Sequence, residues 1–486
     1  MKRSPLSLLL LLSVLAGCAS APVKKGPEGV VERVEGMLAS MTVEEKVGQV
    51  MMGYFDGPAL SGELLDRIKA LHLGGVILYS KTGNVESPRQ VAALTGGIQQ
   101  AARDAKLPAL FVAIDQEGGN VVRLTKGVTV FPSQMALGAT GNETLAASMA
   151  TVTARELRTL GINFNFAPVV DVNSNPDNPV IGTRSFGSSP SLVARLGAAM
   201  VPAYAAEKVV CSAKHFPGHG DTSVDSHVGL PQVSADRAHL EAVEWVPFKA
   251  MIEAGVPAIM TAHVVVPALA PEPGTLSPVL LSALRKDLGF QGLIVTDSMT
   301  MGAISKHWGL PEASIRALSA GADLLLYGAD VDHAASEQQG IFEALVKAVR
   351  EGRVPLARLN EAARRNLLLK AKYGILDDPM PRPEGLGKTQ NALAEQIAED
   401  SLTLLANEQL PLNETDKIPV LWPDSQPESL DILLADCPQL EERVLPADLS
   451  DEMVKELAAS FQGPVIVGLF DLAKHQSWIT MFDSLK

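Results

Sequence analysis

The sequence predicts a (β/α)8 barrel followed by a short α/β domain. Eight short apolar runs alternate with longer segments of helical periodicity over roughly 320 residues, and this alternation is typical of parallel β/α folds. A doubly wound open sheet is the alternative that gives the same alternation. Polar residues just beyond the predicted strands favour the barrel, because a barrel brings all its strand ends to one rim and an open sheet does not. These residues are Asp115, Asp171, Lys214, His263 and Asp297.

The predicted strands are the apolar runs at 47–52, 75–78, 109–114, 162–167, 209–213, 257–261, 293–296 and 322–327. Helix-like stretches lie between them at 88–105, 143–160, 192–207 and 235–254. After residue 376 the pattern breaks into a Pro-rich linker, 377–390. We therefore predict a barrel domain at 35–376 and a short α/β domain at 391–486. In the second domain we expect a helix at 391–405 and strands at 418–421, 430–434 and 464–469.

The N-terminal residues have the composition of a signal peptide. Lys2 and Arg3 form a basic start, and the mostly apolar stretch 6–15 follows. This stretch is short for a membrane-spanning helix, which needs about 20 apolar residues. We therefore predict a cleaved signal peptide at 1–17.

Residues 15–18 resemble a bacterial lipobox, which implies acylation of Cys18 and a tether at 18–34. A plain secretory signal with an incidental cysteine is the alternative. Ala19 rather than Asp follows the cysteine, as in lipoproteins sent to the outer membrane of diderm bacteria. The expected location is the bacterial cell envelope, with a lipid anchor on the periplasmic face of the outer membrane.

The composition restricts the partners of the protein. The net charge is −14, which argues against nucleic acid and against electrostatic docking on anionic lipid, and favours an uncharged or mildly polar substrate. Cys211 and Cys437 are far apart in the chain and their spacing suggests neither a disulfide framework nor a zinc site.

The segment 214–227 is the most informative stretch of the chain. It holds three His, two Asp and one Lys within fourteen residues, and it follows the predicted strand 209–213. Titratable groups at this density are costly to bury unpaired, whereas catalytic groups are commonly placed on loops that a rigid strand presents. We predict an active-site loop that leaves the end of this strand.

The same segment, 214–227, resembles the signature of the β-N-acetylglucosaminidases of glycoside hydrolase family 3. Three further motifs, at 114–119, 182–187 and 295–299, agree with the family and occur in its order. The resemblance covers roughly residues 35–375. It implies a retaining exo-β-N-acetylglucosaminidase (β-N-acetylhexosaminidase) that needs no cofactor and no metal. The implied substrates are terminal GlcNAc residues of peptidoglycan fragments or chitooligosaccharides.

Residues 401–408 resemble the opening of the second, α/β sandwich domain of two-domain family members. The sequence ends well short of that domain's usual extent. The C-terminal domain is therefore expected to be either reduced or incomplete.

The motif around Asp297 identifies the expected nucleophile. A retaining glycosidase needs an ionised carboxylate beneath the anomeric carbon to form a glycosyl–enzyme ester. The alternative for an Asp at a strand-to-helix turn is an N-cap. The resemblance also implies that His227 is the acid/base, oriented by Asp225. On an extended loop two residues two positions apart point to the same side, and a structural Asp–His pair is the alternative.

By the match to the family's motifs, sugar hydroxyls are expected to be held by five residues. They are Asp115, Arg123, Arg184, Lys214 and His215. Glu117, Asp171 and His263 are candidates for supporting roles, and Gly118 and Gly119 are expected to permit a tight turn or a close backbone approach. Asn120 replaces the arginine that is expected from many relatives. For Arg123 a surface salt bridge is the alternative.

Other functions have some support from the residue types. A metal-dependent hydrolase would use the His and Asp of 214–227, but the chain has neither His-x-His nor His-Glu-x-x-His. A non-catalytic, lipid-anchored wall-binding protein would tolerate loss of Asp297 or His227, and both are present. A phosphorylase remains open because a histidine acid/base does not repel an anionic acceptor. A family 3 β-glucosidase would lack the histidine-containing loop.

Overall fold

The computed structural model describes residues 27–330, 333–382, 384, 387–403, 417–425, 427–437, 439–461, 465–469, 477–478 and 480–481. The predicted signal peptide 1–17, Cys18 and residues 404–408 lie outside the described residues. No helix in the described ranges is long and apolar enough to cross a membrane.

Eight short parallel strands form one sheet. They are β1 (Met51–Gly53), β2 (Gly75–Ile77), β3 (Phe111–Ile114), β4 (Phe164–Asn165), β5 (Val210–Phe216), β6 (Ala258–Thr261), β7 (Leu293–Val295) and β8 (Leu325–Leu326). Their spatial order is β7-β6-β5-β4-β3-β2-β1-β8, so neighbours in sequence are neighbours in space. A parallel bridge between Val295 and Leu324 joins the two edges of the sheet. The predicted (β/α)8 barrel is confirmed.

Helices surround the barrel and continue into the C-terminal region. They are α1 (Pro27–Ser40), α2 (Val43–Gln49), α3 (Gly62–Leu71), α4 (Pro88–Asp104), α5 (Gln134–Thr140), α6 (Glu143–Thr159), α7 (Pro190–Ala206), α8 (Arg237–Ala242), α9 (Trp245–Glu253), α10 (Pro278–Ser282), α11 (Gly302–Trp308), α12 (Leu310–Ala320), α13 (Glu337–Arg350), α14 (Leu356–Lys372), α15 (Asn391–Asp400), α16 (Pro427–Asp436) and α17 (Asp451–Ser460). Local signals fix several starts: the Ser87 side chain caps α4, which has Pro88 in its first turn, and Asn142 caps α6.

Both faces of the barrel strands are buried, which explains their continuous apolar runs. Inside the barrel the rings of Phe111 and Phe164 lie 5.4 Å apart, and those of Phe164 and Phe166 lie 4.8 Å apart. A second and larger apolar cluster fills the space between the strands and the helices. The barrel interior is therefore packed beneath its C-terminal rim, which is where barrels of this kind place their active sites.

The first predicted strand, 47–52, is wrong in its first half. Its opening residues belong to α2, which begins at a capping box. The Thr42 side chain accepts the Glu45 N–H at 3.2 Å, and the Glu45 carboxylate accepts the Thr42 N–H at 2.7 Å. A short apolar run does not by itself distinguish a strand from a buried helix, and here the cap decides for the helix.

Two other predicted boundaries differ from the structure. Helix α1 begins at Pro27, within the predicted tether 18–34. Its Val34 is buried in the core, so this part of the predicted tether packs on the barrel. The predicted helix 235–254 is two helices, α8 and α9. The break lies at Val243, whose backbone leaves helical geometry with φ −124° and ψ −77°.

The C-terminal region contains a three-stranded parallel sheet. Its strands are β9 (Ile418–Pro423), β10 (Leu440–Leu445) and β11 (Ile466–Val467), with β9 in the centre. The strand predicted at 430–434 is wrong, since this segment lies within α16. Leu430, Leu433 and Leu434 have the i, i+3, i+4 spacing of a helix face and join one apolar cluster.

The predicted linker and the helix after it pack on the barrel. Arg33 Nη1 lies 2.6 Å from Asp377 Oδ1, and the Arg382 N–H donates to the Thr159 carbonyl at 2.9 Å. Helix α15 contacts α5 and α6, and its Ile397 is fully buried in the barrel's outer core. This helix, predicted as part of the C-terminal domain, is therefore packed with the barrel.

Candidate active site

A cavity of about 290 Å³ opens at the C-terminal rim of the barrel. Seven of the eight barrel strands, or the loops that follow them, contribute to its walls. The predicted catalytic and sugar-binding residues that line it are Asp115, Arg123, Arg184, Lys214, His215, His227 and Asp297. Glu117, a candidate for a supporting role, lines it as well. The structure thus brings together residues that are up to about 180 positions apart in sequence.

The chain turns sharply after β3 and directs two carboxylates into the cavity. Asp115 and Glu117 flank the start of a small hairpin, Gln116–Gly118 with Val121–Val122. Gly118 and Gly119 have φ of 97° and 60°, and a Cβ on Gly119 would lie 2.6 Å from that of Ser133. The expected close backbone approach at these glycines is confirmed.

Glu117 is the centre of a buried ion cluster. Arg184 donates to both of its oxygens at 2.9 Å, and Lys214 Nζ lies 2.5 Å from Oε1. Burial raises the pKa of the Glu117 carboxyl, but Arg184 and Lys214 outweigh it and lower the pKa to about 2. Lys214 also donates to Asp115 Oδ1 at 2.9 Å. These four charges fix each other's positions on one wall of the cavity.

Lys214 and His215 lie within β5, which continues to Phe216. The prediction that the strand ends before Lys214 and a loop begins there is therefore wrong. The strand continues because its polar side chains find buried partners from other strand ends. Asp171 Oδ2 lies 2.7 Å from His215 Nδ1, and Asp171 Oδ1 accepts the N–H groups of His215 and His219 at 3.2 and 2.8 Å.

Arg123 is partly buried beside Asp115 rather than in a surface salt bridge. Its Nη2 lies 3.6 Å from Asp115 Oδ2, and its guanidinium carbon lies 5.7 Å from the centre of the Tyr79 ring. Its Nε is buried and has no hydrogen-bond partner within the described ranges. The guanidinium therefore has donor capacity in the cavity wall.

Asp297 lies two residues after the end of β7, within the motif 295–299, and it lines the cavity. The Ser298 N–H donates to Asp297 Oδ1 at 2.7 Å. Burial raises the pKa of this carboxyl, but the neighbouring His215 and His263 and the Ser298 N–H lower it to about 2. Asp297 is thus an ionised carboxylate in a largely buried site. The N-cap alternative does not hold among the described residues. The Asp297 side chain accepts from Ser298, which lies before α11, and the N-cap residue of α11 is Met301.

His263 forms a hydrogen bond to the segment after Asp297. Its Nε2 lies 2.8 Å from the Ser298 carbonyl, and its Nδ1 lies 2.8 Å from Thr275 Oγ1. Because a carbonyl only accepts, Nε2 carries a proton. Burial lowers the pKa of His263, which keeps the imidazole neutral in this arrangement.

His227 and Asp225 form a hydrogen-bonded pair on the loop after β5. His227 Nδ1 lies 2.8 Å from Asp225 Oδ1, and the His227 N–H donates to the same oxygen at 2.8 Å. The expected contact is present, but an Asx-type turn produces it rather than an extended loop, and the Val228 N–H closes the turn on the Asp225 carbonyl at 3.0 Å. Burial raises the pKa of Asp225, but the hydrogen bonds from His227 outweigh it and lower it.

The loop that carries this pair is tied to the start of α11. The Gly302 N–H donates to the His227 carbonyl at 3.3 Å, and the Ala303 N–H donates to the Ser226 carbonyl at 3.2 Å. A Cβ on Gly302 would lie 2.7 Å from the His227 carbonyl oxygen. Since α11 follows Asp297 closely in sequence, these contacts couple the position of His227 to that of Asp297.

His219 supports the loop as a buried, neutral imidazole. The Thr222 hydroxyl donates to the His219 carbonyl at 3.0 Å and therefore accepts from His219 Nδ1 at 2.7 Å. This leaves Nε2 to accept the Ser226 hydroxyl at 3.0 Å. Burial and the neighbouring His215 lower the pKa of His219 to about 4. Its neutral form thus fits the hydrogen bonds it makes.

Among the polar cavity-wall residues that sequence reasoning missed are Tyr79 and Asp330. Tyr79 directly follows the predicted strand 75–78, so the strand-end criterion that selected Asp115 could have found it. Asp330 lies a little further beyond β8. Among the described residues no three His, Cys, Asp or Glu side chains are arranged to hold a metal ion.

The chain is similar to known proteins in sequence and in fold. The family model for the glycosyl hydrolase family 3 N-terminal domain matches residues 42–369, most of the chain. The chain belongs to glycoside hydrolase family 3. A family 3 β-N-acetylglucosaminidase from Paenibacillus sp. str. FPU-7 has a similar structure, with a TM-score of 0.85 and 37% identity over 92% of this chain and 88% of that one.

Two family 3 relatives are similar in sequence. The β-hexosaminidase A of Pseudoalteromonas piscicida is 43% identical over 287 residues, which are 55% of this chain and 48% of that protein. The β-N-acetylglucosaminidase/β-glucosidase of Cellulomonas fimi is 34% identical over 413 residues, 80% of this chain and 69% of that protein. The matched region thus spans about half the length of the Pseudoalteromonas protein.

Proposed function

We propose that the chain is a retaining exo-β-N-acetylglucosaminidase. The observation that carries this proposal is that one cavity is lined both by the ionised carboxylate of Asp297 and by His227, whose imidazole is hydrogen-bonded to Asp225. A retaining glycosidase needs a nucleophilic carboxylate and a group that gives and takes a proton. The names of the Cellulomonas and Paenibacillus proteins support β-linked GlcNAc as the sugar, and that of the Pseudoalteromonas protein supports a β-linked hexosamine.

In the first step an Asp297 oxygen attacks the anomeric carbon while the glycosidic C–O bond breaks. His227 enters as the imidazolium, with Nδ1–H donating to Asp225, and its Nε2–H transfers a proton to the departing oxygen. The products are the leaving alcohol and a glycosyl ester on Asp297. The Asp225 carboxylate stabilises the positive charge of the imidazolium and fixes the orientation of the ring.

In the second step the roles of His227 are reversed. Its neutral Nε2 takes a proton from a water molecule, and the water oxygen attacks the anomeric carbon. The ester bond to Asp297 breaks, the carboxylate is restored, and GlcNAc leaves with its original β configuration. Both steps use only side chains of the chain and water.

The charged wall of the cavity is proposed to bind the sugar. Asp115, Lys214 and His215 would contact hydroxyl groups, with Arg184 and Arg123 as further contacts. Charged hydrogen bonds to hydroxyls are strong and directional, so a wall fixed by the Glu117 cluster can hold the ring in one orientation. Its side chains are ordered by buried partners before substrate arrives, which reduces the entropic cost of binding.

Release of 4-nitrophenol from the β-GlcNAc and β-glucose glycosides tests the proposal. We expect turnover of the GlcNAc compound, little turnover of the glucose compound, and loss of activity in Asp297→Ala. Folded wild-type protein that releases no 4-nitrophenol from either compound would contradict the hydrolase and favour the wall-binding alternative. Turnover that requires inorganic phosphate and yields a sugar 1-phosphate would identify a phosphorylase instead.

The natural substrates are proposed to be terminal GlcNAc residues of peptidoglycan fragments or chitooligosaccharides. Comparison of kcat/KM for a GlcNAc–muramyl disaccharide and for chitobiose separates the two. We also propose that Cys18 carries a lipid that anchors the protein in the cell envelope, on the strength of the lipobox-like residues 15–18. Incorporation of labelled palmitate into the wild type and not into Cys18→Ser tests the anchor, and equal labelling would contradict it.

A further inference from the structure

Part of the cavity wall has no role in the mechanism above. It consists of Tyr79, which follows β2, and Asp330, which follows β8. These two strands flank β1 in the barrel, so the two side chains approach the cavity from neighbouring positions on the rim. Both line the same cavity as Asp297 and Asp115.

Asp330 is held by the two hydroxyl side chains that follow the nucleophile. Its Oδ2 accepts from Ser298 Oγ at 3.0 Å and from Thr300 Oγ1 at 2.5 Å. The Gly328 N–H donates to Ser298 Oγ at 3.0 Å and fixes that hydroxyl in turn. The other oxygen of Asp330, Oδ1, accepts no hydrogen bond from the described part of the chain. A carboxylate with one oxygen fixed and one free is oriented to accept from a ligand.

The Tyr79 hydroxyl lies close to Ser298, one of the two residues that hold the Asp330 carboxylate. A Cβ on Gly328 would lie 2.9 Å from the Tyr79 oxygen and 2.5 Å from Ser298 Oγ, so the two hydroxyls are directed at the same place. The ring is held between cations, with Arg123 at 5.7 Å and Lys81 Nζ at 5.6 Å from its centre. The hydroxyl itself makes no hydrogen bond to any described residue.

The protonation of Tyr79 follows from its surroundings. Burial raises the pKa of the phenol well above its usual value, and the negative charges of Asp115, Asp330 and Asp297 raise it further. The phenol therefore keeps its proton and can donate. Asp330, whose negative charge acts on Tyr79, lines the same cavity, and its carboxylate can only accept. A donor and an acceptor in one cavity wall suit a sugar hydroxyl, which donates one hydrogen bond and accepts others, whereas an anionic group would be repelled by the three carboxylates.

We propose that the Tyr79 hydroxyl and Asp330 Oδ1 form a further binding pair for hydroxyl groups of the GlcNAc residue that is cleaved. This inference rests on the proposed function, because it assigns the pair to the same bound sugar. The pair contacts the sugar next to the nucleophile, since Ser298 and Thr300, which hold Asp330, lie one and three positions after Asp297 in the chain.

The test measures kcat/KM for 4-nitrophenyl β-GlcNAc and for its 3-deoxy, 4-deoxy and 6-deoxy derivatives. The variants are Tyr79→Phe, Asp330→Asn and, as a matched control, Tyr327→Phe, which removes a buried hydroxyl bonded to Ser314 outside the cavity. On the parent substrate we expect a loss of about fivefold for Tyr79→Phe and of about tenfold to a hundredfold for Asp330→Asn, the ranges for neutral and charged hydrogen bonds. Tyr327→Phe should retain the wild-type rate.

The deoxy substrates distinguish contact from structural support. If the pair touches a hydroxyl, the loss caused by each variant disappears on the substrate that lacks this hydroxyl, because the interaction is already absent. Equal losses on the parent and all three deoxy substrates would overturn the proposal and leave Asp330 a positioning residue for Ser298 and Thr300.

Two further readouts keep the result interpretable. Thermal unfolding of each variant shows whether it is folded. If Asp330→Asn is not, Tyr79→Phe decides alone, since its lost oxygen has no partner in the described chain. Wild-type turnover of the parent glycoside reports on the proposed function separately. Its absence would overturn the exo-enzyme and this inference together, whereas its presence with equal losses would overturn only the inference.

Discussion

His227 Nδ1 lies 2.8 Å from Asp225 Oδ1, and the same carboxylate oxygen accepts the backbone N–H of His227. Because an ionised carboxylate only accepts, Nδ1 carries its proton in every protonation state of the ring, and proton exchange is left to Nε2. The side chains of His227 and Asp225 are 54% and 36% exposed. The pair is therefore open to solvent, so the water molecule of the second step can reach the imidazole that takes its proton.

Replacement of His227 by Ala should slow the enzyme in proportion to the basicity of the leaving group. We expect a loss of about a hundredfold to ten-thousandfold on a GlcNAc disaccharide, the usual contribution of general acid–base catalysis. The 2,4-dinitrophenyl glycoside, which leaves without protonation, should lose far less in glycosylation. Asp225→Asn should give the same pattern with a smaller loss. Equal losses on both leaving groups would contradict the role of His227.

Substitution of Gly302 by Ala should disturb His227 without touching it. The new Cβ would lie 2.7 Å from the His227 carbonyl oxygen, so the loop must move. Because misplacement by about 1 Å can cost a hundredfold in rate, we expect up to about a hundredfold lower kcat on the disaccharide. Gly340→Ala, where the new Cβ has nothing within 4 Å, is the matched control and should keep full activity. Activity unchanged in both variants would show that the loop tolerates the shift.

Glu117→Gln should destabilise the fold, because it leaves Arg184 and Lys214 buried without their shared counter-ion. Removing one member of a buried ion pair costs about 3–5 kcal/mol. The free energy of unfolding in urea measures this loss. Glu312→Gln, which breaks ion pairs that are 38–50% exposed, should change the stability little. Similar values for the two variants would contradict the structural role of the Glu117 cluster.

His219 should make the protein less stable as the pH falls. Its folded-state pKa is lowered to about 4 from the ordinary histidine value of about 6.5. Between these values the unfolded chain binds more protons, so stability is retained above pH 6.5 and is lost as the pH falls toward 4. The loss is on the order of 3 kcal/mol. Glu117 and Asp297 have pKa values of about 2, so they change the pH dependence of stability only at lower pH.

Urea unfolding at pH 7, 6 and 5 tests this dependence. The slope of stability against pH should be shallower in His219→Gln than in the wild type, with the remaining slope shared by His263, whose pKa is also lowered. His239→Gln, at a side chain that is 48% exposed, should keep the wild-type slope. Identical slopes in all three proteins would contradict a neutral, buried His219.

The barrel could be predicted because each of its strands is buried on both faces, which leaves apolar runs separated by amphipathic helices. The rim could be predicted because polar residues follow these runs. Two apolar runs were predicted as strands but are helical, each for a different reason. The residues at 47–49 are helical because Thr42 and Glu45 cap α2, and those at 430–434 because three leucines have helical spacing.

The polar end of β5 could not be predicted from local sequence. Lys214 and His215 stay in the strand because Asp115, Glu117 and Asp171 reach them from other strands. The contact between His227 and Asp225 was expected from the family resemblance, with their spacing in support. For Tyr79 the strand-end signal was present in the sequence, whereas the hydrogen bonds of Asp330 depend on tertiary contacts between β8 and the segment after β7.

The central claim is that Asp297 forms a covalent ester with the sugar, and trapping that ester tests it most directly. A 5-fluoro-GlcNAc fluoride carries a good leaving group, while its ring fluorine slows the second step by destabilising positive charge in the transition state. Mass spectrometry of the protein after incubation and digestion should find one added sugar, on the peptide that contains Asp297. A label on another residue, or full turnover of unmodified substrate by Asp297→Ala, would contradict the account.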